Sequence, residues 1–442
     1  MTDIKTDKGL AVGAAKLEQV KIRLANLQTD NDRVGYAREV KRLAKTIENG
    51  RDPAMLGPSL DICLAGISQL LEYGRSASAR AALDLLWKPI KRVKGENPVN
   101  GRFLQGWALT ILGDIESGDL AMGTALKTYR KAVATLSYQN SPAFYLPNAL
   151  IRKGFAELTL GKIATARKTL ENARALLQRH IDDNRTAAYT VLQMATTLSL
   201  LGYTWLLSGR NLAKARDLFT QSCELCRTSS DRKLFEDEFK LAEISALSGI
   251  SSVDFMQKQY GQAEEHALQV ANALREIIKS VPGDVQVAQL APKALIKLAA
   301  MTRDPGRHDV TSDIFAEARG LLSHLEQILE IPTTARHAMA VNSIVRARVA
   351  WDNGKPLGCQ FNAHAGLKML TKLSTKVKEP DFIAREIERL CGTLPGATDH
   401  PLINISGLKP EEPIRGQSAI VQALPPVTDI ADMVEILGWM GI

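Results

Sequence analysis

PNALIRKGFAELTLGKIATARKTLENARALL, residues 147–177, reads as two helices joined by a glycine. Leu150, Gly154 and Leu158 recur at steps of four and share one helix face; Gly161 breaks the run; Ala166, Leu170, Ala173 and Leu177 then line a second helix. Small residues at Gly154 and Ala166 let two helix axes come close. The stretch therefore predicts an antiparallel helical hairpin that touches through those two positions.

The same arrangement recurs on both sides. The small residue of the first run is Gly66, Gly113, Gly154, Gly202 and Gly249, at intervals of 47, 41, 48 and 47 residues. A glycine follows at Gly74, Gly118, Gly161, Gly209 and, more loosely, Gly261, and an alanine opens the second run at Ala79, Ala125, Ala166, Ala215 and Ala263. A period of this size means stacked hairpins, each packed only on its neighbours. The expected fold class is an all-α solenoid.

These spacings resemble the tetratricopeptide repeat family. With Gly154 at the family's first small position, Gly161, Ala166, Leu170 and Ala173 fall at its turn glycine, second small residue, large residue and final small residue. Gly113, Ala125, Tyr129 and Ala132 do likewise, although Gly118 stands two residues early for the turn. The family's repeat is shorter than the 41 to 49 residues between copies here, so the resemblance is to a long-repeat variant. It implies a right-handed superhelix in which the first helix of each pair lines the concave side, where partners bind.

Four segments are expected along the chain. Residues 1–53 form an N-terminal helical hairpin, with Leu17, Val20, Leu24 and Leu27 on one helix, and Val34, Ala37, Val40, Ala44 and Ile47 on the next, capped by Asp30 or Asn31. Residues 54–281 hold the regular repeats. Residues 282–393 hold looser pairs, Val285 to Met301 with Ser312 to Leu329 and Thr334 to Trp351 with Asn362 to Val377, then a helix from Phe382 to Leu390. Residues 394–442 carry six prolines between Pro395 and Pro426 and close on a short amphipathic helix. Its apolar face, Ile430, Met433, Val434 and Leu437, suits docking in cis or in trans, or a plain cap on the solenoid.

Composition sets outer bounds. Hydrophobic residues make up 45% and charged residues 24%, the balance of a folded soluble chain, and only 5% are aromatic, so Ala and Leu carry the packing. Met1 to Gly9 has no apolar core of a signal peptide, and no apolar run reaches the length of about 18 residues that a membrane span needs, so a cytoplasmic protein with no membrane partner is expected. Five dispersed cysteines suggest reduced thiols.

Catalytic motifs are missing: there is no Walker loop, HExxH, nucleophile elbow or dinucleotide fingerprint. The expectation is a protein that is no enzyme and carries no cofactor or metal. Cys223 and Cys226 form a Cys-x-x-Cys pair, but they fall late in a second-helix run, where small apolar residues are ordinary. The seven histidines show no ligand spacing.

A binding surface is the stronger expectation. Positions on the first helices that flank the hairpin contact are Trp107, Thr110 and Asp114; Asn148, Ile151, Phe155 and Leu158; and Thr196, Ser199, Tyr203 and Leu206. Phe155, Tyr203 and Trp107 offer apolar contact and Asn148 offers an amide to a peptide backbone, so the expected partner is a protein or peptide segment. The alternative is a nucleic acid or another polyanion. Its basis is a net charge of +8, with eleven Lys or Arg against seven Asp or Glu in residues 1 to 51, and stripes at Lys88, Lys91, Arg92 and Lys94 and at Lys368, Lys372 and Lys376. Solvated helix faces explain such stripes equally well.

Overall fold

The computed structural model describes residues 17–29, 32–49, 53–138, 145–182, 188–233, 235–281, 284–302, 308–353, 355–377 and 379. Every regular element among them is helical: α1 (17–29), α2 (Arg33–Asn49), α3 (Pro53–Glu72), α4 (Ser76–Asp84), α5 (Trp87–Glu96), α6 (Pro98–Gly118), α7 (Met122–Leu136), α8 (Tyr145–Thr159), α9 (Ile163–Asp182), α10 (Ala188–Ser208), α11 (Leu212–Thr228), α12 (Glu236–Met256), α13 (Tyr260–Ser280), α14 (Val285–Met301), α15 (His308–Ile328), α16 (Thr333–Asp352) and α17 (Pro356–Ser374), with a short 3-10 turn at Ser230–Lys233. Consecutive helices pair as hairpins, α6 with α7, α8 with α9, α10 with α11, α12 with α13, α14 with α15 and α16 with α17. This is an all-α solenoid of stacked helical hairpins. The expected helix from Phe382 to Leu390 and the C-terminal helix lie outside the described residues. No helix among those described is long and apolar enough to cross a membrane.

The hairpin contacts show why the third copy is so legible. A Cβ built on Gly154 would lie 2.7 Å from Leu170, and one on Gly202 2.7 Å from Phe219, each on the hairpin's own second helix; Gly113 meets Tyr129 in the same way. The outer copies depart from this. Gly66 faces Val40 and Tyr36 of α2, and Gly249 faces Phe219 of the preceding hairpin. In the fifth copy Ser251 takes up the hairpin contact, its hydroxyl donating to the Ala263 carbonyl at 2.9 Å.

The turns keep the period better than the glycines do. Gly74, Gly161 and Gly209 have φ of 70°, 72° and 62°, and the matching positions in the other two copies are Leu120 at 58° and Lys258 at 63°. Gly118 and Gly261 are helical residues, not the turn residues expected of them. What repeats is the left-handed turn, which a leucine and a lysine adopt despite their Cβ.

Two smaller differences follow from local chemistry. Asp32, not Asp30 or Asn31, caps α2, accepting from the Gly35 amide at 2.8 Å. The buried stripe of α2 is Tyr36, Val40, Leu43, Ala44 and Ile47, with Val34 43% exposed one turn too early. The first repeat also carries an extra helix, α5, whose Ile90 and Val93 are buried while Lys88 and Lys91 stay in contact with solvent.

Candidate functional site

Successive first helices, α6, α8, α10 and α12, pack on one another more closely than the second helices do. The stack therefore curves with its first helices on the inner side. Each of them touches its own second helix, the second helix before it and the flanking first helices, so it is buried nearly all round. Among the described residues, part of each first helix keeps solvent contact.

The row on this inner side is Phe103, Trp107 and Asp114 on α6, Tyr145, Asn148 and Arg152 on α8, and Tyr189 and Thr196 on α10, each set on one face by steps of three, four or seven. At one end the aromatic rings form a cradle. Tyr145 lies 4.5 Å from Phe103 and 5.2 Å from Trp107 between ring centroids, and Phe103 lies 5.9 Å from Trp107. Burial, then the nearby Asp61 and Tyr189, push the Tyr145 phenol upward. Asp61 of α3 stands within that field, its Oδ1 buried without a hydrogen-bond partner, and burial raises its carboxyl as well. The cradle thus joins apolar faces to one under-satisfied carboxylate.

The other end is ionic. The Tyr129 hydroxyl donates to Asp114 Oδ1 at 2.7 Å, and Arg152 Nε stands 3.4 Å from the same oxygen. Desolvation raises Asp114, and Arg152 and Tyr129 pull it part of the way back. For Arg152, burial works downward, but Asp114, Tyr129, Tyr189 and Glu72 together hold it above its ordinary value. Tyr189 keeps 45% of its surface exposed, yet burial raises its phenol. A group that solvent reaches while protein surrounds it on most sides stands in a concavity, which is where clustered shifted groups point to a binding site.

Four expected positions belong to this row: Trp107, Asp114, Asn148 and Thr196 are half-buried on it. Ile151, Phe155, Ser199, Tyr203 and Leu206 are buried, with Phe155 0% and Tyr203 1% exposed, as are Thr110 and Leu158. They hold repeats together rather than face a ligand. Tyr203 packs edge-on against Phe219 with centroids 5.0 Å apart, and the Ser199 hydroxyl donates to Ser222 at 3.0 Å. Spacing alone placed them on the right side of the helix but too deep, because neighbours close over both flanks. Phe103, Tyr145, Arg152 and Tyr189 went unselected, although the first three sit three or four residues from a selected one and Tyr189 seven from Thr196. Ile430, Met433, Val434 and Leu437 lie outside the described residues.

The remaining candidates are simply placed. Lys368 and Lys372 are exposed on α17, and Lys372 and Lys376 edge a shallow pocket with Arg336, Glu326 and Met369. Arg92 turns inward, donating to the Ile47 carbonyl at 3.3 Å. Cys223 and Cys226 are buried in α11, and desolvation pushes their thiols up to about 11 and about 12. At pH 8 so little thiolate forms that native alkylation of these two by iodoacetamide runs on the order of a hundredfold slower than in urea. Peptide mass spectrometry of the labelled chain measures it, and equal labelling in both states would contradict the buried placement.

No protein-family model matches the chain, and no curated protein matches it in sequence. Among solved structures it is similar to a Rap protein complexed with competence and sporulation factor, at 12% identity and a TM-score of 0.49, over 86% of this chain and 97% of that one. The apo form of RapI is similar at 13% identity and a TM-score of 0.46, over 82% of this chain and 99% of that one.

Proposed function

We propose that this protein is a non-enzymatic scaffold or sensor that binds a protein or peptide segment along its inner face. The observation that carries the reading is the open row itself: an aromatic cradle of Phe103, Trp107 and Tyr145 beside the polar set Asp114, Asn148, Arg152 and Tyr189, in a concavity otherwise closed by packing. An apolar side chain of the partner rests on the rings, where tilted and edge-on aromatic contacts are favoured. Its backbone meets the Asn148 amide, which donates and accepts at once.

Site-specific photocrosslinking in the full chain tests this. A benzophenone side chain at position 148 captures the partner, Trp107→Ala lowers the capture about tenfold, as for an aromatic anchor, and a benzophenone at Lys168 on the outer helix α9 does not capture it. Equal capture at 148 and 168, or capture indifferent to Trp107→Ala, would sink the inner-face assignment.

A further inference from the structure

Two glutamates far along the chain are seated on helix N-termini near its beginning. Glu330, between α15 and α16, accepts from the Ser78 amide at 2.8 Å and the Ser78 hydroxyl at 2.7 Å in the first turn of α4, while its own amide donates to the Gly74 carbonyl at 3.0 Å. Glu379, just beyond α17, accepts from the amides of Gly123 and Thr124 at 2.7 and 2.6 Å and from the Thr124 hydroxyl at 2.5 Å, at the start of α7. The pairs are 252 to 256 residues apart in sequence. The first amides of a helix have no partner within it, and a carboxylate there also meets the positive end of the helix dipole. The superhelix has therefore come full circle, and one chemical device joins its two ends twice, about one repeat apart.

At this seam Gly74 touches Leu329 and Val285, and a Cβ there would lie 2.5 Å from Leu329. Both seats are only partly buried, so water competes for them. Charged groups from the two ends meet across the seam: Glu72 of α3 is raised first by burial and also by Asp284 and Glu238 of the distant hairpins, and Arg33 is lowered by burial and by Arg75, against the pull of Tyr73 and Asp284. Glu72 also acts on Arg152 of the inner row. Glu72 thus stands between the inner row and the distant hairpins.

We propose that this seam is a clasp that assembles the inner face cooperatively: with both glutamates seated, the first and last hairpins of the described chain are held against each other, and with either seat empty the ends part and the inner face loosens. The clasp regulates the binding face described above and takes its meaning from that reading, but its test needs no ligand. Hydrogen exchange on the full chain reads the seats directly, because the amides of Ser78, Gly123 and Thr124 are the groups the carboxylates protect. Glu330→Ala speeds exchange on the order of tenfold at Ser78 and equally at Gly123 and Thr124, and Glu379→Ala does the same in reverse. Gly74→Ala, which leaves both carboxylates in place and drives a Cβ into Leu329, deprotects both seats as well. Unchanged exchange in the middle of α10 shows that the fold survives each substitution. If each glutamate variant deprotects only its own seat, or Gly74→Ala deprotects neither, the clasp is overturned and the glutamates are plain helix caps. Photocrosslinking at the inner face is independent of these rates, so the two readings fail separately.

Discussion

Phe219→Ala lowers the free energy of unfolding by about 3 to 5 kcal/mol, the range for emptying a well-packed aromatic site. Phe219 is wholly buried on α11, and its ring is held between two glycines of different helices. Added Cβ atoms on Gly202 of its own hairpin and on Gly249 of the next would both fall on the same edge of the ring, at Cε1, Cζ and Cδ1. The ring is therefore the piece that locks one repeat to the next. A reversal of sign follows. In the native background Gly249→Ala overpacks the ring and costs about 1 to 3 kcal/mol; in the Phe219→Ala background the clash is gone, and alanine's better helix propensity makes the same change stabilising by about 1 kcal/mol. Urea denaturation of the four variants gives the coupling between the positions. Additive effects would show that the two glycines do not share the ring.

The same two glycines mark how far the sequence could be read. Gly154 and Gly202 announce hairpins because each faces a large residue four beyond its partner alanine, a contact made wholly within one repeat. Gly249 carries the same letter for a different reason, since it makes room for a ring of the previous repeat. The turns at Leu120 and Lys258 were hidden for a related cause: the backbone period is set by how long helices stack, and glycine is only its cheapest solution. The inner row was half legible. Trp107, Asn148 and Thr196 are open because the concave side leaves one stripe uncovered, whereas Phe155 and Tyr203 lie under neighbours whose approach depends on the curvature of the whole stack. The glutamate seats were not legible at all. Pairing Glu330 with Ser78 requires the pitch of the superhelix, which no local pattern encodes.

Arg152→Leu is the second substitution with a large effect, and its size depends on pH. The guanidinium and Asp114 keep only 23% and 16% of their side-chain surface, so removing one partner leaves the other as a poorly solvated charge. The loss at neutral pH is about 3 kcal/mol, the lower end for a broken buried pair because some solvent access remains. Burial already raises Asp114 above its ordinary value, and loss of Arg152, which pulls it down, raises it further. A carboxyl with a folded pKa above its unfolded value of about 3.9 releases its proton first in the unfolded chain. Stability then falls as pH rises from the unfolded to the folded pKa and stays low above it. The variant is accordingly closest to the native protein at pH 4 and furthest from it at pH 7.5. Asp114→Asn in the same chain removes the charge while keeping an oxygen for the Tyr129 hydroxyl, so the double variant regains most of the neutral-pH loss and loses the extra pH dependence. Urea midpoints at the two pH values measure both effects; equal losses at pH 4 and 7.5, or no recovery with Asn at position 114, would mean that Arg152 serves the fold through its packing and not through its charge.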